Sequence, residues 1–224
     1  PAQNVKGIRR SKSKRHKREK LSNGEVLAVL DTCDLDTRVG RRDRCILGLL
    51  SYCALRMVEI RRLDCSDVTT VDDRLVLRTW PKGHTSADDV SVVPRQEEDI
   101  VRGWVTERLG MENVKGGSPL FPSLSRQNYG DRLGARGLSA MIQGRYREAK
   151  VVGAAKSPHS LRHSAITSAI RHGATPLQAQ ALGKHSSFDT TLQYFHNEAR
   201  TSAPGEDLIR YGGVSEADPT QDMQ

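Results

Sequence analysis

The chain has 224 residues, 36% of them apolar and 4% aromatic, with a formal net charge of +8. That length buries one good core or two small domains, and so few aromatics argue against a stacking platform for single-stranded bases. No apolar run approaches the roughly 18 residues of a membrane span, and the N-terminal bases have no apolar stretch behind them, which excludes a secretory signal.

Residues 1–20 hold nine Lys/Arg (Lys6, Arg9, Arg10, Lys12, Lys14, Arg15, Lys17, Arg18 and Lys20) against Glu19, so the whole positive excess lies there. The remainder balances 26 bases with 26 acids. A block of this composition cannot fold alone and reads as a flexible arm or linker. Its natural partner is a phosphate backbone; a solubilising or targeting tail is the plainer reading. Any phosphate chemistry in the neutral remainder must come from a few placed cations. Pro1 stands where a Met is usual, and the expectation is a processed chain or a piece of a longer one.

Structured sequence opens at Leu21. Ser22 or Asn23 caps a helix through Glu25 to Leu30. A polar break from Asp34 to Gly40 precedes a helix carrying Cys45 to Leu50, too apolar all round for a surface position. Met57 to Leu63 is a short third helix with Val58, Ile60 and Leu63 for packing. Arg74–Trp80 and Val90–Val93 are β-branched runs joined through a turn that begins Pro81-Lys82-Gly83-His84, predicting an antiparallel hairpin or a three-stranded sheet. Residues 96–109 return to helical period, with Ile100, Val101, Trp104, Val105 and Leu109 on one side. Gly116 to Gly130 is a loop, and Leu133 to Lys150 is helical. Ser157-Pro158 starts a helix through Ile170 that Gly173 closes. Thr175-Pro176 starts the next, through Leu182, and a last short helix holds Thr190 to Phe195. The predicted fold class is mainly α with a small antiparallel β-sheet (α+β). None of the four cysteines (Cys33, Cys45, Cys53 and Cys65) forms a C-x-x-C pair or stands at zinc spacing from a His, so they read as buried, reduced thiols of a cytosolic protein.

Candidate chemistry lies at four places. In Pro158-His159-Ser160-Leu161-Arg162-His163, His159 and Arg162 share a face of a helix start, while Leu161 points to the core. Two cations there oppose the helix dipole, an arrangement suited to a bound anion; a purely structural pair is the alternative. Arg56 lies between apolar helical runs and needs an anionic partner, which Glu59 can supply at i+3. Lys82 lies at the strand turn, where most lysines are merely solvated. His185 follows Arg162 by 23 residues, and Tyr194 follows His185 by nine. Taken alone, a late Tyr is a packing residue.

In this order and spacing, the six positions resemble the tyrosine recombinases, the phage-integrase and Xer-type family. The resemblance covers roughly Leu21 to Asn197. It rests on Arg56 in A-L-R-x-x-E-I, a strand-turn Lys82, H-x-L-R-H, and then His185 and Tyr194. It implies the catalytic-domain fold and a catalytic set of Arg56, Lys82, His159, Arg162, His185 and Tyr194. It also implies cutting and rejoining of DNA through a 3′-phosphotyrosyl intermediate, without ATP, metal or other cofactor. Attack on a phosphodiester loads charge on its non-bridging oxygens, which Arg56 and Arg162 can clamp bidentately. Tyr194 must lose a proton of pKa near 10, so neighbouring cations and a base, best His159, assist. His185 would donate to a phosphate oxygen, and the resemblance assigns the leaving-group acid to Lys82. The family usually has Gly where this chain has Ala54 and Lys184, and a Lys or Arg soon after the strand-turn Lys. Lys184 could be a substitute cation near the phosphate.

The same resemblance implies double-stranded DNA as partner, a homotetramer on two duplexes, no membrane, and a cytoplasmic, nucleoid-associated place. A separate helical domain normally precedes the catalytic one. Residues 1–20 therefore read as a linker, 21–200 as the catalytic domain, and 201–224 as a tail. Its apolar patch (Leu208, Ile209 and Tyr211) is a candidate contact with a neighbouring protomer. Competing readings are a type IB topoisomerase, a non-catalytic DNA-binding protein on the same fold, and a phosphatase or nuclease using His159 as nucleophile.

Overall fold

Ser22 opens the first helix. In the computed structural model its hydroxyl accepts from the Glu25 N–H (3.2 Å), while the Glu25 carboxylate accepts from the Ser22 N–H (2.9 Å). This reciprocal box satisfies two donors that a helix start leaves open. The structure describes residues 20–80, 89–151, 153 and 156–202, with side chains to residue 196. The arm before Lys20, the Pro81–His84 turn with Lys82, and the patch of Leu208, Ile209 and Tyr211 lie outside the described residues.

The elements in order are α1 (Asn23–Asp31), α2 (Arg38–Tyr52), α3 (Met57–Arg62), a 3-10 turn (Cys65–Asp67), β1 (Val68–Val71), β2 (Arg74–Thr79) and β3 (Asp89–Val92). They continue with α4 (Arg95–Leu109), α5 (Ala135–Glu148), α6 (Pro158–Arg171), α7 (Pro176–Gly183) and α8 (Phe188–Ser202). The described residues divide into two compact units, the first ending at Ile166 and the second beginning at Thr167. This is the expected mainly helical fold with a small antiparallel sheet. Helix α2 starts inside the stretch expected to be a break, because Thr37 Oγ1 accepts from the Gly40 N–H (3.0 Å) and caps it. The local cap outweighs the missing apolar period.

In the first unit the sheet has order β1-β2-β3, antiparallel throughout, with Val68 opposite Leu77 and Val76 opposite Val92. β1 was not itself expected. It is closed to β2 by Asp72 and Asp73 at φ +46° and +60°, with Val71 opposite Arg74. That is a two-residue hairpin turn written in an uncommon pair, where Asn-Gly is the usual signal. Leu75, Leu77 and Val93 face the core, and Val90 and Val92 face out. Helix α2 is the central element: Cys45, Ile46, Leu47, Leu49 and Leu50 are all buried, and it packs against α1, α3 and α4. Trp104 of α4 donates its indole N–H to the Leu120 carbonyl (3.0 Å) and stacks on Phe121, fixing the 116–130 loop over the core. Leu109, expected on the buried side, is exposed. It is the last residue of α4, and Arg108 takes the inward place, its Nε donating to the Pro119 carbonyl (3.0 Å).

In the second unit, Thr175 caps α7 in a second reciprocal box with Gln178, and Pro176 stands at the first turn, where its missing N–H costs nothing. Helix α7 packs against α8. α8 begins two residues earlier than expected, at Phe188, and runs past Phe195 to Ser202. All four cysteines are buried, free thiols. Burial pushes Cys33 up to about 11 and Cys65 upward as well.

Candidate active site

Ala54 decides how the first half of the site is built. After α2 ends, the chain turns through Ala54 at φ +50°, and the N–H groups of Cys53 and Leu55 both donate to the Leu49 carbonyl (3.2 and 3.3 Å). This left-handed residue stops the helix and swings the chain into Leu55 and Arg56. Arg56 then stands at the cap of α3. Its backbone N–H donates to Glu59 Oε2 (2.6 Å) and its guanidinium to Glu59 Oε1 (3.2 Å). Glu59 is 1% exposed, so a carboxylate buried at that depth is compensated by Arg56 on both sides of its fork. The anionic partner expected at i+3 is in place, and the Arg56 side chain stays partly open to solvent.

Helix α6 begins at Pro158 and brings His159, Leu161 and Arg162 with it. Leu161 is buried, as expected. Arg162 is buried too, at 2% exposure, and donates from its guanidinium to the Ala54 carbonyl, which places it two residues from Arg56 in the turn below. Arg56 and Arg162 are thus tied to one turn of backbone. His159 lies edge-on to His163, with ring centroids 5.3 Å apart and an interplanar angle of 83°. His163 was not among the expected site residues, although its place four after His159 in H-x-L-R-H puts the two rings on one helix face.

The second unit holds the other pair. α7 ends in Lys184 at φ +43°, ψ +49°, and this left-handed step turns His185 back over Gly183. A Cβ at Gly183 would come within 2.6 Å of the imidazole, so a side chain there would push the His185 ring aside. His185 Nδ1 lies 2.9 Å from Thr191 Oγ1, and its ring stacks on Tyr194 with centroids 5.6 Å apart and planes at 18°. Thr191 is buried and Tyr194 partly so. The Thr191 contact was not foreseen; a hydroxyl three residues before Tyr194 on the same helix is its only trace in the sequence. Lys82 lies outside the described residues.

Among the described residues, no group of three or more His, Cys, Asp or Glu stands together as metal ligands. Among them also, no helix is long and apolar enough to cross a membrane.

The family profile described as "Phage integrase family" matches residues 19–200. Tyrosine recombinase XerD of Pseudomonas putida is 34% identical over 188 residues, which cover 79% of this chain and 56% of that protein. Tyrosine recombinase XerC of Corynebacterium glutamicum is 36% identical over 159 residues, 69% of this chain and 46% of that one. The chain spans about half the length of the curated relatives it matches. The crystal structure of XerA recombinase superposes with a TM-score of 0.68 at 23% identity, covering 86% of this chain and 66% of that one. XerH site-specific recombinase bound to palindromic difH substrate, a post-cleavage complex, gives a TM-score of 0.66 at 20% identity over 82% of this chain and 51% of that one. The solved structures share the fold, and the profile match takes in most of the chain, including the Arg56 turn, the α6 motif and the His185–Tyr194 pair: the chain belongs to the phage integrase family, the tyrosine recombinases.

Proposed function

We propose that this chain is the catalytic domain of a site-specific DNA recombinase, with Tyr194 as nucleophile. Tyr194 Oη attacks the scissile phosphorus, the 5′-oxygen leaves, and a 3′-phosphotyrosyl bond keeps the energy of the broken ester, so rejoining needs no ATP. Arg56 and Arg162 neutralise the charge that builds on the non-bridging oxygens; forked guanidiniums suit that geometry better than ammonium groups. His159 takes the Tyr194 proton. His185 donates to a phosphate oxygen, and a Thr191 hydroxyl donating to Nδ1 favours the tautomer with its proton on Nε2. Lys82 protonates the leaving 5′-oxygen. Cations do the electrostatic work, so no metal has a part in the scheme.

The observation that carries this reading is the tie between the two arginines: Arg162, buried, is bonded to the carbonyl two residues before Arg56. Two guanidiniums tied to one turn of backbone make a forked cationic pair suited to gripping phosphate oxygens, and the family supplies that anion as a DNA phosphate. The partner in this reading is double-stranded DNA. The working assembly is a homotetramer on two duplexes, acting in the cytoplasm at the nucleoid.

A pool of nicked duplexes with randomised cores tests it. Cleavage beside the nick releases a short strand that diffuses away, so the covalent complex is trapped. The parent chain gives a DNA adduct that survives denaturing electrophoresis, and Tyr194→Phe gives none. An adduct that persists in Tyr194→Phe overturns the assignment. Sequencing the trapped strands reads the target site.

A further inference from the structure

The segment that opens the folded chain holds α6 at two points. At the first, the Leu21 N–H donates to Ser164 Oγ (2.7 Å). The Ser164 hydroxyl faces the carbonyls of Leu21 (2.9 Å) and Ser160 (3.0 Å), and its one proton serves either. Leu21 and Ser164 are both buried, so water does not replace these bonds. At the second, the Lys156 ammonium pairs with Glu25 Oε1, while Glu25 Oε2 completes the capping box of α1. The Lys156 hydrogen bond, with the Ser22 bonds behind it, holds the Glu25 carboxyl below its ordinary value. Between the two points the helix start is braced further. The Ser157 N–H donates to Ser160 Oγ (3.0 Å), and the Tyr146 hydroxyl donates to the Ser157 carbonyl (3.1 Å).

Lys156 and Ser164 bracket His159 and Arg162 in the sequence, and both are fastened to the first five residues of the folded body. We infer that Lys156 with Glu25, and Ser164 with the Leu21 backbone, are positioning residues for strand cleavage. They fix where α6 presents His159 and Arg162, and they make that placement answer to the chain that enters at Leu21. This rests on the recombinase reading above. None of the four touches the reacting atoms; each acts through α6. The expected effect is large for such indirect residues, because a misplacement of about 1 Å costs about a hundredfold in rate.

Single-turnover cleavage of the trapped duplex at saturating DNA, with binding measured in parallel, tests the inference. Lys156→Met and Ser164→Ala each slow cleavage by about tenfold while the Kd for DNA moves less than about twofold. Lys156→Arg keeps the cation and the parent rate. Glu25→Gln keeps the capping box but lowers the rate, which separates positioning from helix capping. Parent rates in all variants, a loss confined to Kd, or a Lys156→Arg as slow as Lys156→Met overturns the inference. Absence of an adduct from the parent chain itself overturns the cleavage reading, whereas an adduct with unaffected variants overturns only the positioning role. Amide hydrogen exchange supplies a readout without DNA. The 160–164 amides exchange about tenfold faster in Ser164→Ala and Lys156→Met while those of α4 do not change; unchanged exchange in α6 overturns the inference by itself.

Discussion

Ala54 and Lys184 stand at φ +50° and +43°, the region where a Cβ crowds the following carbonyl. These are the two positions where the family resemblance leads one to expect glycine, and the backbone shows why. The two differ in what the side chain returns. The Ala54 methyl is fully buried, and losing a buried methyl costs about 0.8 kcal/mol, close to the relief of strain, so Ala54→Gly leaves stability within about 0.5 kcal/mol of the parent. Lys184 is only half-buried. Lys184→Gly therefore raises stability by about 0.5–1 kcal/mol, read as a shift of the urea midpoint at unchanged slope. If that stabilised variant also cleaves DNA more slowly, the Lys184 ammonium belongs to the chemistry as well as to the turn. Both departures from glycine were visible in the sequence. Their left-handed backbone was not, because neither Ala nor Lys announces it.

Between elements, ion pairs join α2 to α4: Arg38 and Arg41 reach Glu107, and Arg44 reaches Glu97 beside a glycine. Arg44 donates from both amino groups to Glu97 (2.8 Å each), and Glu97 is 2% exposed. A Cβ on Gly48 would fall 2.2 Å from Glu97 Oε2, so the carboxylate occupies the space a side chain would take. Arg44→Met strands a buried carboxylate and costs about 3–5 kcal/mol in urea unfolding. Adding Glu97→Met recovers most of that, since an apolar pair of similar size is close to neutral. A double variant no more stable than Arg44→Met shows that the pair is not a coupled unit. Helix starts at Ser22, Ser157-Pro158 and Thr175-Pro176 were legible in the sequence because cap residues and a first-turn Pro are local signals. The β1 strand was harder to name, since Asp72-Asp73 is an uncommon hairpin pair. Leu109 was misplaced because period alone does not tell where α4 stops facing the core.

For the whole molecule, the net charge and the proposed catalytic residues sit in different parts of the chain. The net excess lies in residues 1–20, and the rest balances to zero. Each arm cation that reaches a phosphate contributes about 0.9 to the slope of log K against log salt. Removal of residues 1–19 keeps Leu21 and its bonds to Ser164. The shortened chain therefore binds duplex DNA more weakly and with a salt slope several units shallower, measured by fluorescence anisotropy over a salt series. A slope that does not change places the DNA-binding cations in the folded body instead.

What the sequence determined by itself is whatever local physics encodes. Helical period and caps set most of the elements, residue counts located the basic arm, and the order of Arg56, His159, Arg162, His185 and Tyr194 carried the family. What only the tertiary structure decided are the long-range contacts. Arg162 bonds to Ala54 across 108 residues, and Leu21 to Ser164 across 143. Neither leaves a pattern along the chain, because a hydrogen bond between distant residues depends on how two buried surfaces pack and not on the spacing of either residue from its neighbours.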